Sequence, residues 1–133
     1  MTNLPLGYLS NHNGLCGTVS IIGKNEQNLV IMSCGHVLKD FSGTITIETS
    51  EGSATIPVKK EQIQSGTNED EDVAFIVVPK DAVQGDFQAI HYAPLYLNSD
   101  SFLKNQEAIS SGYPVNDCEE NPIIKPILGP VII

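Results

Sequence analysis

Positive charge is the first thing this sequence is short of. Seven Lys and Arg stand against sixteen Asp and Glu, a formal net charge of −9. A protein that holds a phosphate backbone must neutralise several of its charges, and no basic stripe interleaved with aromatics is present to stack bases. Nucleic acid and anionic membrane are therefore set aside as partners. Cysteine is also scarce, and odd in number: Cys16, Cys34 and Cys118. That count, without framework spacing, argues against a disulfide-dense secreted domain and for free thiols in a reducing, cytoplasmic setting. No window reaches the about 20 apolar residues of a membrane span. The start, MTNLPLGYLSNHNG, has no basic region leading into an apolar one, as a leader requires. Helix-period patterning is poor throughout, and no internal repeat or low-complexity tract occurs.

What is there is a succession of short β-type runs punctuated by turn chemistry. A chain of 133 residues suits one compact domain with one core. GTVSIIG (Gly17 to Gly23) and LVIMS (Leu29 to Ser33) are rich in Val and Ile and flank the polar KNEQN, which predicts a first hairpin. TITIET (Thr44 to Thr49) alternates with period two and ATIPV (Ala54 to Val58) returns after SEGS, a second hairpin in which Pro57 marks an edge or a bulge. VAFIVV (Val73 to Val78) is a continuous apolar run, expected to be buried on both faces or at a barrel closure. Lys80 to Gln106 is irregular, and EAISSGYP (Glu107 to Pro114) supplies a sixth strand. Six short strands with turns between them predict an all-β fold, a single six-stranded antiparallel barrel over residues 1–120.

Residues 121–133, NPIIKPILGPVII, form an apolar C-terminal extension. Seven large aliphatic side chains fall in the last eleven positions, interrupted by Pro126 and Pro130. Proline cannot donate to a ladder, so this tail is expected to lie across a surface, either of its own barrel, of a second copy through self-association, or of another polypeptide.

Chemistry concentrates in SCGHVL, where His36 follows an apolar strand, and in DVAFIVV, where Asp72 opens another. A carboxylate that accepts the Nδ1 proton of an imidazole fixes its tautomer and leaves Nε2 free to take a proton from a hydroxyl or thiol. By spacing alone the same residues read more readily as a satisfied histidine and a loop cap, because one His and one Asp far apart are a weak signal. A zinc reading uses His12, Cys16, Cys34 and His36, but their spacing matches no common zinc pattern. Glu69, Asp70 and Glu71 lack the ligand order and glycine of a calcium loop. Cys118 lies among carboxylates in NDCEEN, which oppose thiolate formation. His91, in AIHYAP, has no partner in sequence and reads as a surface histidine. No metal or cofactor is expected.

Taken in order, CGTVSIIG, LVIMSCGHVL, DVAFIVVP and EAISSGYP resemble the first half of the trypsin-like, or chymotrypsin-like, serine peptidase family, over about Leu15 to Pro114. There a Gly-rich first strand leads to a strand ending in small-small-His, matched at His36. An Asp precedes an apolar strand, matched at Asp72, and a Gly-Tyr-Pro segment closes the first barrel, matched at Gly112, Tyr113 and Pro114. The resemblance implies two six-stranded barrels with the active site between them, His36 and Asp72 being its catalytic residues from the first.

The departures matter as much. The nucleophile and oxyanion hole of that family lie in a Gly-x-Ser-Gly-Gly segment of the second barrel, and no such segment occurs here. Ser110 and Ser111 fall where barrel one closes, and the tail resembles the first strand region of a missing second barrel. The family's common disulfide is also absent, because Val37 stands where the partner of Cys16 would be; a Cys16–Cys34 bridge remains open. Two functions follow as expectations. One is an endopeptidase domain, inactive alone, acting on protein or peptide substrates once a second polypeptide supplies the serine. The other is a non-catalytic barrel half that binds a protein.

Overall fold

In a computed structural model of the chain, residues 4–39, 41–65, 71–94 and 112–113 are described, together with the backbone of 107–111 and 127–132. The fold is all-β, as expected. Its main body is one antiparallel sheet of eight strands: β1 (Leu6–Asn11), β2 (Gly14–Lys24), β3 (Asn28–Ser33), β4 (Gly43–Thr49), β5 (Gly52–Val58), β6 (Ile63–Ser65), β7 (Ala74–Pro79) and β8 (Gln84–Gly85), ordered β6-β7-β3-β2-β1-β4-β5-β8. Two further strands, β9 (Glu107–Gly112) and β10 (Ile127–Ile132), form a separate antiparallel ribbon.

Both expected hairpins form. β2 and β3 pair around Ile21 and Ile31, and the polar connection is a tight turn in which Asn25 Oδ1 accepts from the backbone of Gln27 and Asn28 at 2.7 and 2.8 Å. Such a side chain replaces a backbone acceptor and fixes the turn locally. β4 and β5 pair from Gly43–Val58 to Thr49–Gly52. Pro57 sits beyond the two β5 residues that pair with β8, so its missing N–H costs no ladder bond on that side.

The sheet curls into a half-barrel. Irregularities in register at Leu9/Ser10 of β1 and Ile21/Gly23 of β2 add bend where the curl is needed. One core results, in which Leu9, Val19, Ile21, Leu29 and Ile31 pack with Ile45, Ile47 and Ile56 from one arm and Ala74, Ile76 and Val78 from the other. Each Val, Leu or Ile among them contributes about 1.5–3 kcal/mol on full burial. The irregular stretch after Pro79 closes over this core with Phe87 and Ile90, and the Lys24 ammonium ties it down by donating to the carbonyls of both residues at 2.9 Å. Burial lowers the pKa of that ammonium.

Four expectations are corrected. The main sheet has eight strands, not six; β6 and β8 are too short to show a pattern, and β1 hides its period. β7 is not buried on both faces: Ala74, Ile76 and Val78 are inside, while Val77 is 46 % exposed. The strand at Glu107–Gly112 pairs with β10 rather than with the main sheet. And Ile127–Ile132 of the tail is a strand rather than a segment laid across a surface; each strand of a two-stranded ribbon is an edge, which is where a proline such as Pro130 is tolerated. Residues 114 and 121–126 lie outside the described residues.

The outer face of β1 is covered separately. Leu6, Tyr8 and Tyr113 form a second cluster, with the two rings edge to face at 5.1 Å. The Tyr113 backbone N–H donates to Thr18 Oγ1 at 2.8 Å, so the end of β9 is docked onto β2.

Candidate functional site

β3 runs out of the core at Ser33, and the chain turns at once into a single helical turn, α1 (Gly35–Leu38), with Cys34 at its N-cap. Leu38, fully buried, anchors that turn from below, and Val37 packs against Gly17 of β2. His36 is thereby left pointing outward. Asp72 stands two residues before β7, the neighbour of β3 in the sheet, whose register sets Ser33 opposite Ala74. The antiparallel pairing of β3 with β7 thus brings together two residues 36 positions apart.

Their contact has two points. Asp72 Oδ1 accepts from the His36 backbone N–H at 2.6 Å, and Asp72 Oδ2 lies 2.5 Å from His36 Nδ1. Gly35 makes room for it: a Cβ there would stand 3.1 Å from Asp72 Oδ1 and 3.3 Å from the Val73 nitrogen. The Asp72 carboxyl is held below its ordinary value, first by the backbone N–H of His36, then by the hydrogen bond from its ring. An ionised carboxylate can only accept, so Nδ1 carries the proton and Nε2 of the neutral ring keeps its lone pair. The ring is open to water, with 71 % of the His36 side chain and 49 % of Asp72 exposed.

This arrangement can orient a base. The two surface depressions described, of about 370 and 510 Å³, are lined elsewhere, by Lys24, Phe87 and Tyr92 in one and by His12, Ser42 and Lys59 in the other.

Cys34 is exposed and free, as is the half-buried Cys16, so the bridge left open between them is not made. Of the four residues weighed for zinc, only Cys34 and His36 come together, and the third donor is Asp72: one ligand atom from each of the three lies within 4.8 Å of the other two. His12 is instead in the β1–β2 turn. The sequence alone does not show this trio, because Asp72 is 36 positions from His36 in the chain and no common zinc spacing joins it to Cys34. His91 does have a neighbour, Glu51, with Nε2 and Oε1 3.3 Å apart, at ion-pair distance but outside hydrogen-bond geometry. Cys118, Glu69 and Asp70 lie outside the described residues. Among the described residues, no helix is long and apolar enough to cross a membrane.

No family model matches this chain, and neither does any curated protein or solved structure.

Proposed function

We propose that this chain is the first half of a trypsin-like serine endopeptidase, carrying the base, His36, and its orienting acid, Asp72, while the nucleophile and oxyanion hole come from a second barrel. The observation that carries the reading is the two-point contact of Asp72 with the His36 backbone N–H and Nδ1. A carboxylate placed so selects one tautomer and stabilises the imidazolium that forms when Nε2 takes a proton from a serine hydroxyl. The order of the motifs from Cys16 to Tyr113 and the exposed ring edge, open for a second body to cover, support it further. With no serine delivered to Nε2 there is no acyl intermediate, and without aligned donors there is no stabilised oxyanion. The chain alone is accordingly expected to hydrolyse no peptide or ester above background and to take no fluorophosphonate label.

The test has two parts. The coding sequence downstream of Ile133, or a neighbouring frame, should encode a second barrel with Gly-x-Ser-Gly-Gly. With that barrel present, peptidase activity should appear and fall by about 10⁴-fold on D72N. Activity indifferent to Asp72 and His36, or labelling of the chain alone, counts against the proposal.

A second reading, a non-catalytic module that binds a protein, is favoured by the outer face of β7 and the residue just before it, where Val77 and Val73 are 46 % and 40 % exposed. It differs in one readout: partner capture would survive H36A and fail on V77D.

A further inference from the structure

We infer that Cys34, His36 and Asp72 form a binding site for a thiophilic divalent cation, and that Zn²⁺ is the ion this donor set fits. The inference goes beyond the base role proposed above and does not need it. A thiol, an imidazole and a carboxylate from two adjoining segments place one donor atom each within 4.8 Å of one another, and all three side chains are exposed. Zinc takes S, N and O donors at about 2.3, 2.0–2.1 and 2.0–2.2 Å in a tetrahedral shell, so its donors lie about 3.3–3.8 Å apart. Exposed side chains close a gap of that size by small torsional changes within their rotamer wells. The backbone is already set: Cys34 and Gly35 open α1, and Asp72 is held to that turn by the His36 N–H.

The donor types choose the ion. Calcium and magnesium call for oxygen shells, which one carboxylate does not provide. A thiolate with an imidazole selects zinc or a related transition ion, with a water completing the fourth position. On binding, the thiol proton passes to solvent and the thiolate is held by the metal. The Asp72 carboxylate supplies the oxygen donor and the second negative charge. A bound metal occupies a ring nitrogen of His36 and sets the imidazole within a new shell, so metal occupancy and the freely basic ring are mutually exclusive states of one site.

The experiment is a titration of the reduced full chain with Co²⁺ followed by Zn²⁺. Cobalt should bind one to one and develop a thiolate-to-cobalt charge-transfer band beside the visible absorption of a tetrahedral ion, and zinc should bleach both. C34S should abolish the charge-transfer band. H36N and D72N should each weaken zinc affinity at least tenfold, the range expected when a ligand or its orienting partner is lost. C16S should leave spectrum and affinity unchanged. Circular dichroism of each variant checks that it is folded, which the exposure of all three positions favours. A chain that binds no cobalt, a band that survives C34S, or an affinity indifferent to both H36N and D72N overturns the inference. A silent titration leaves the base role standing, since that role needs no metal.

Discussion

At the scale of single residues, His36 owes its orientation to a carboxylate that is itself oriented by backbone. Asp72 is fixed by the N–H of the residue whose ring it holds, so one short stretch of backbone places both carboxylate and imidazole. The contact carries a signature in pH. Because the folded-state pKa of Asp72 lies below its ordinary 3.8, the carboxylate contributes stability that is fully present above the unfolded value and is lost as pH falls through the folded one. The stability difference between the parent chain and D72N is therefore expected to hold steady above the ordinary carboxylate range and to shrink as the solution is acidified. Urea midpoints across a pH series measure it, and a difference unchanged down to about pH 2 would show that the charge plays no part in the contact.

At the scale of elements, what could be read from the sequence was set by how cleanly each strand alternates. The β2–β3 and β4–β5 hairpins have Val, Ile and Thr at period two with polar turns between them, and both were legible. β1 was not. Leu6, Gly7, Tyr8 and Leu9 are all buried, because the inner face of the strand meets the core and the outer face is covered by Tyr113, which erases the alternation. Gly7 hides it further, being there for contact rather than for a turn: a Cβ would stand 2.9 Å from the Thr46 carbonyl oxygen and 3.0 Å from Ile47 Cγ1. G7A is expected to push β1 off β4 and cost about 1–3 kcal/mol, read as a lower urea midpoint at unchanged slope; an unaltered midpoint would mean that β1 does not pack as described. The run at β7 misled in the opposite direction, since its apolar outer residues are half open to solvent. The candidate pair was legible as chemistry, and its contact as something a barrel could bring about, but not the register of β3 on β7 that makes it, which sets Ser33 opposite Ala74 and is a tertiary fact. Cys34 as a third donor needed that same register.

At the scale of the whole molecule, the curled sheet leaves His36 at one rim, exposed apolar side chains at Val73 and Val77, and a ribbon of β9 and β10 that reaches the main sheet where Tyr113 meets Thr18. If the chain is half of a larger enzyme, surface meant for the other half is open to solvent, and contiguous apolar surface of more than a few hundred Å² is rare in monomers. The isolated chain is expected to self-associate, with a weight-average mass in sedimentation that rises with concentration and falls in a version ending at Asn121. Two monodisperse monomers of equal stability would leave the half-enzyme reading without this support. Above all, the fold sets Asp72 on Nδ1 and so frees Nε2, which nitrogen-15 NMR of the metal-free chain reads directly. In the neutral ring, His36 should show a protonated Nδ1 and an unprotonated Nε2, and D72N should abolish that preference. A His36 ring protonated at Nε2, or a tautomer unmoved by D72N, would mean that Asp72 does not set the imidazole.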